Sequence, residues 1–513
     1  MSNSKTAAAR LAAVAIVFGL SQLAFAQPGN PVWIQLNPTG GPPGGRLVPS
    51  AVYDPTTNSM IVFGGEAQLS ATSGNYNDVW VLANADGLGG TPAWTQLAPF
   101  GLAPTPRFGA GAAYDPGSNR LIAFGGAYAD YPAVANMCSY YANAGTANDV
   151  WVLTNANGSG GAPSWTPLVP SGLAPSPRRT SVVVYDAANN RLIVFGGSEA
   201  CGKRNDVWVL SNANGLGGTP VWTQLNPSGA LPLVRGEIGS AGAYDAANNQ
   251  LIIVGGRGDQ AVLNDVWVLS NANGLGGTPA WTQLSPTGVL PPGREAHTVT
   301  YAAAANTLTV IGGADFSETQ LLSDVWQLSN ANGLGGTPGW SQLTPSGTSA
   351  LPRAGHTAVY HQATRRSVIF GGVACVPCAG LNDTWVLADV VPFGALSAAA
   401  QIHPLSSGFN VQGTFAPGTG GSIDPLTQDV TLQLGGFSAT IPAGSFHAVN
   451  GSFTFSGIVS GVPMDATIQP QAGGYAFTFD GAGAPNLPAA NPVTVGLGIG
   501  NNGGTVQVTA TFN

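Results

Sequence analysis

An apolar strand that ends in Gly-Gly occurs six times in this chain, at Gly64-Gly65, Gly125-Gly126, Gly196-Gly197, Gly255-Gly256, Gly312-Gly313 and Gly371-Gly372. Such periodicity restricts the fold more than any local motif, because stacked copies of one supersecondary unit must bury each other's faces. Each unit also carries an Asp-x-Trp strand, with Trp80, Trp151, Trp208, Trp267, Trp326 and Trp385. A second tryptophan marks the strand that follows, at Trp33, Trp94, Trp165, Trp222, Trp281 and Trp340, and together these are all 12 Trp of the chain. Six of the 12 tyrosines, Tyr53, Tyr114, Tyr185, Tyr244, Tyr301 and Tyr360, end the strand before an Asn-rich turn. Aromatic residues at fixed repeat positions read first as packing residues.

One unit reads as four short strands. In the third, strand a is expected over Thr180 to Tyr185, b over Arg191 to Phe195, c over Asp206 to Leu210 and d over Val221 to Leu225. The c to d connection, Asn212 to Gly218, has the Asn and Gly that left-handed turn residues require. With 73 Gly and 39 Pro among 513 residues and only 8% charged residues, the composition suits many short strands and few helices. A ring of four-stranded units limits exposed strand edges, which is the propeller solution.

The Gly-Gly after strand b, the Tyr ending strand a and the Trp of strand c, recurring at roughly 50 to 60 residues, resemble kelch repeats. The resemblance runs from about Pro31 to Asp389. It implies an all-β fold, a six-bladed kelch-type β-propeller. The same fold forms the central domain of galactose oxidase, so the resemblance does not separate a binding module from an enzyme. The chain starts with a strand d, Val32 to Leu36, and its repeats end with a strand c, Asp383 to Leu387. The last blade is therefore expected to take its fourth strand from the N-terminus.

The flanks differ in character. Lys5 and Arg10, an apolar run from Leu11 to Leu20 and Ala24-Phe25-Ala26 before Gln27 match a cleaved secretory signal. The expected plan is a signal peptide at 1–26, the propeller at 27–390 and a small C-terminal β-sandwich at 391–513, with export to the cell surface or beyond. In the last segment, alternating runs such as Val430 to Leu434, Ser452 to Phe455 and Thr505 to Ala510 predict some seven or eight half-buried strands.

Charge and motifs exclude several functions. A net charge of −8 with 16 Lys and Arg disfavours nucleic acid, and no second apolar stretch is long enough to span a membrane. G-x-S-x-G, P-loop and H-E-x-x-H patterns are missing. His297 and His356 share a place early in strand a of units five and six, near Glu295. Two imidazoles and a carboxylate would suit a metal, but a packed structural role is preferred, and no metal, cofactor or catalytic residue is assigned. The tyrosine and cysteine ligands of a copper-radical oxidase like galactose oxidase are not recognisable. Arg46, Arg107, Arg178, Arg235, Arg294 and Arg353 precede strand a, and Asp78, Asp149, Asp206, Asp265, Asp324 and Asp383 open strand c. One cation and one anion per unit at the same end suggest structural ion pairs, with a ring of arginines holding an anionic ligand as the alternative. Among the cysteines, Cys138 with Cys201 and Cys375 with Cys378 are the expected disulfides.

Two functions remain open: an exported module that binds a glycan, peptide or surface protein, and a metal-dependent oxidase or lyase on the same scaffold. The first is preferred. The a to b and c to d turns repeat almost unchanged, whereas the b to c loops differ in every unit and are longest from Ala127 to Ala147. Loops on a rigid scaffold carry specificity. The expected ligand contacts are therefore Tyr76, Tyr128, Tyr131, Tyr140 and Tyr141, with Arg107 and Arg178 beside them.

Overall fold

A computed structural model describes residues 31–67, 74–128, 145–199, 202–239, 241–315, 320–375, 378–418 and 423–513. Within them the protein is all-β, and its only helical element is a single 3-10 turn, Ala303–Ala305. Six four-stranded antiparallel sheets account for the repeats. In the third, the strands are Val182–Asp186, Arg191–Ser198, Lys203–Ser211 and Val221–Leu225, hydrogen-bonded in that order. Strands b and c run further than their apolar runs suggest, because pairing resumes beyond a bulge, with Gly197 opposite Arg204 and Ser198 opposite Lys203.

The first strands of successive sheets touch around a closed circle, the sixth returning to the first. Strand b is buried on both faces, as in Ser59–Phe63, so the apolar core lies between sheets. Ile193, Phe195 and Val209 of the third sheet pack on Leu251, Ile253 and Trp281 of the fourth. Each strand-b phenylalanine meets the strand-d tryptophan of the next sheet, with ring centroids 5.1 Å apart for Phe195 and Trp281. Phe370 of the sixth sheet meets Trp94 of the first at 5.0 Å.

Val32–Leu36 pairs antiparallel with Thr384–Ala388, from Val32 opposite Ala388 to Leu36 opposite Thr384. The sixth sheet is thus completed by the N-terminal strand, as the phase of the repeat requires. Trp33 is 5% exposed and lies edge-on to Trp385.

Beyond residue 390 the described residues form a five-stranded and a seven-stranded sheet. Leu432, Val495 and Leu497 of the first share one core with Ile402, Val411 and Phe479 of the second. Twelve strands occur here, against the seven or eight expected. Three of them, Val391–Pro392, His447–Val449 and Thr511–Phe512, are too short for alternation to reveal. This region sits on the a to b and c to d end of the ring. The Gly89 amide donates to the Thr427 carbonyl at 3.2 Å. Asn501 joins the Arg366 side chain at 2.6 Å and the Thr364 carbonyl. No described helix is long and apolar enough to cross a membrane.

Deleting residues 27–40 should bare the edge of Thr384–Ala388 and open the ring. A drop of more than about 10 °C in melting temperature is expected for this truncation by circular dichroism. A melt like that of the chain with residues 27–40 intact would refute the closure.

Candidate functional site

The b to c end is built on one repeated arginine. Each of Arg46, Arg107, Arg178, Arg235, Arg294 and Arg353 is at most 2% exposed. In the fourth sheet, Arg235 Nη1 and Nη2 donate to Asp265 Oδ1 and Oδ2 at 2.7 and 2.9 Å, Nη1 also to the Gly255 carbonyl at 2.9 Å, and Nε to the Leu233 carbonyl at 3.1 Å. Trp267 Nε1 donates to the same Asp265 at 2.7 Å. A buried guanidinium is stable only when its donors are met and its charge is opposed, and this set does both. Burial would raise the carboxyls of Asp206, Asp324 and Asp383, but bonds and charge from their arginines outweigh it and hold them below the usual range.

The arginine backbone ties neighbours together. The second glycine of each Gly-Gly donates to the carbonyl of the next sheet's arginine, from Gly65 to Arg107 at 2.9 Å round to Gly372 and Arg46 at 2.9 Å. Glycine is needed because Gly64 and Gly125 have φ of +66° and +65°. A Cβ there would meet the neighbouring arginine carbonyl at 2.7 and 2.6 Å.

Two residues after each arginine the backbone turns left-handed, at Val48, Gly109, Thr180, Glu237, Ala296 and Gly355. These positions form a second circle of backbone bonds of 2.7 to 3.2 Å. Val48 donates to Gly355, Gly109 to Val48, Thr180 to Gly109, Ile238 to Thr180, Ala296 to Glu237 and Gly355 to Ala296. Left-handed Val and Thr are costly for a β-branched side chain, so the circle imposes the conformation. The sequence hints at it only through Gly109 and Gly355. A cavity of about 60 Å³ lies inside this circle, room for one or two waters.

The expected contacts separate into three groups. Arg107 and Arg178 are buried and committed to Asp149 and Asp206, so their charge is already opposed within the fold. Tyr76 and Tyr128 are half-buried in b to c loops, their rings under the Arg46 and Arg107 guanidinium carbons at 4.2 and 5.0 Å. Burial raises the Tyr128 hydroxyl, which stays protonated at neutral pH. Tyr131, Tyr140, Tyr141, Cys138 and Cys201 lie outside the described residues. Cys375 and Cys378 form a disulfide.

His297 and His356 are 1% and 3% exposed and act as wedges between sheets. A Cβ added at Gly255 or Gly312 of the preceding sheets would meet their Cε1 atoms at 3.3 and 3.1 Å, so these glycines leave the space next to which the imidazoles sit. Ile238 holds the equivalent place over Gly196. His356 Nε2 is 2.9 Å from Thr298 Oγ1. No group of three metal-ligating side chains occurs among the described residues. Burial pushes His297 down to about 3 and His356 well below its ordinary value.

Two outcomes are expected. Arg235→Met should leave Asp265 unopposed and cost about 3 kcal/mol in a denaturant melt; a loss under about 1 kcal/mol would make the pair dispensable. Both wedge imidazoles stay neutral in the folded chain but gain protons below about pH 6.5 when unfolded, so stability should fall with pH across that range. For His297 this amounts to about 2 kcal/mol at pH 5. The His297→Ile, His356→Ile variant should show a flatter dependence of melting temperature between pH 7.5 and 5; an unchanged slope would rule out these histidines as its source.

With this geometry in place, likeness to known proteins becomes informative. A family model described as "KLHDC2/KLHL20/DRC7 Kelch-repeats domain" matches residues 248–390. Adagio-like protein 1 of Oryza sativa subsp. japonica is 32% identical over 193 residues, 37% of this chain and 27% of its own. Host cell factor 1 of Rattus norvegicus is 30% identical over 200 residues, 36% of this chain and 9% of its own. The match thus spans about a quarter and under a tenth of those relatives. Among solved structures, Trypanosoma rangeli sialidase aligns over 87% of this chain and 74% of its own, at 11% identity and a TM-score of 0.41, too remote to bear on function. The repeated Gly-Gly, Tyr and Trp marks, the four-stranded sheets they build and the matches to kelch repeats identify the chain as a kelch-repeat protein.

Proposed function

We propose that the chain is an exported recognition module, a six-bladed kelch propeller at 27–390 with a β-sandwich at 391–513, that binds a protein, peptide or glycan on its b to c end. The observation that carries this reading is the asymmetry of the two ends. The a to b and c to d end meets the C-terminal sheets through Gly89, Arg366 and Thr364. Its turns are also bound to one another. Tyr185 donates to Asn190 at 3.0 Å, Asn190 to Asn214 at 2.7 Å, and Asn214 to Asp115 of the preceding blade at 2.7 Å. The same chain of bonds recurs through Tyr244, Asn249, Asn273 and Asp186.

The b to c end instead presents loops of different sequence on a rigid base, and the tyrosines of those loops suit sugar stacking and protein contact. Arg107 and Arg178 serve as supports in this reading, with the Arg107 guanidinium against the Tyr128 ring. The direct contacts are Tyr76, Tyr128 and the tyrosines of the long blade-two loop, Tyr131, Tyr140 and Tyr141. Kelch relatives such as host cell factor 1 support a binding module by family likeness.

The test is a paired glycan and protein-partner screen with the mature chain, followed by titration of the strongest hit. Tyr76→Ala and Tyr128→Ala should each weaken binding about tenfold or more. Leu216→Ala and Leu275→Ala in the c to d turns should not alter it. The reverse pattern would move the site to the other end.

A further inference from the structure

We propose that the cleft between the closing blade and the C-terminal sheets binds a small carboxylate with an apolar body, anchored by Arg366. The cleft is a cavity of about 140 Å³. Val32, Ile34 and Ala388 of the closing sheet form one wall, and Gly498 and Gly503, which bring bare backbone to the surface, form the other. A cavity of about 150 Å³ admits a benzene-sized body.

Arg366 makes this cleft more than a packing gap. It is 5% exposed, yet its bonded acceptors are neutral: Asn501 Oδ1 at 2.6 Å from Nε and the Asp86 carbonyl at 2.8 Å from Nη1. Each of the six repeated arginines of the b to c end holds both oxygens of a carboxylate. Arg120 and Arg191, at the same repeat position as Arg366, also donate to a turn carbonyl, but they are half-exposed and water can solvate their remaining donors. The C-terminal sheets cover Arg366. The nearby carboxylates do not take those donors. Asp86 directs its oxygens to His361, Thr364, Asn58 and the Leu88 amide. Asp429 lines the same cleft at its exposed rim, near enough for its charge to favour the protonated guanidinium, and accepts the Ala443 amide. A buried guanidinium whose hydrogen-bond acceptors are neutral, beside a cavity, is a place where an anion gains a charge-assisted bond.

The experiment titrates the full mature chain with butyrate and benzoate by calorimetry, and with butyramide and benzamide as neutral isosteres. Millimolar binding of at least one carboxylate is expected, with its amide at least about tenfold weaker. Arg366→Gln should abolish the preference for the carboxylate. Val390→Trp, which adds bulk at the cleft lining without touching Arg366, should abolish binding while leaving the melting temperature within about 3 °C of the parent. Equal affinity for acid and amide, carboxylate binding that survives Val390→Trp, or no binding up to about 20 mM would each overturn the proposal.

Discussion

The ring depends on a guanidinium buried at the inner end of each blade. Its charge could not remain there without the aspartate that opens strand c, and that aspartate is fixed by the tryptophan two residues later. One side chain thereby joins the d to a loop, the Gly-Gly corner and strand c of its own blade. Its backbone carbonyl receives the amide of the previous blade. The arrangement couples a local requirement, satisfaction of a buried cation, to a global one, the angle between neighbouring sheets.

The two ends of the propeller solve the same problem by different means. At one end, ion pairs within blades and backbone bonds between blades leave the b to c loops free to vary. At the other, neutral amides cross from blade to blade, and the chain of bonds continues even where residue types change. In the first blade Asp86 replaces the usual turn asparagine, and in the sixth His361 stands where four other blades have aspartate; the two meet at 2.9 Å. Exchange of donor and acceptor keeps the contact across the closure point.

Most of the fold was legible because its determinants are periodic. Gly-Gly, Tyr and Trp recur at fixed spacings, and a strand d without its blade at the N-terminus implied the closing pair. The Arg and Asp partners were also readable, since both occur once per unit at one end. Other features left little trace. Left-handed Val48 and Thr180 carry no Gly or Asn to announce them, because long-range backbone bonds set their φ. The wedge role of His297 and His356 depends on glycines in the preceding blade. The burial of Arg366 appears only once the C-terminal sheets cover it, since sequence gives no register between distant segments.

The pairing of Val32–Leu36 with Thr384–Ala388 has a mechanical consequence. In this antiparallel pair Val32 lies opposite Ala388, so the chain joins and leaves the ring at one point, on the end that carries the C-terminal sheets. A load applied through the two ends of the ring would open this pair as a zipper, one rung at a time, instead of shearing all of its rungs together. The same geometry lets the whole propeller hang from a single attachment with its b to c end facing outward, and a tether on either side would not cross that surface.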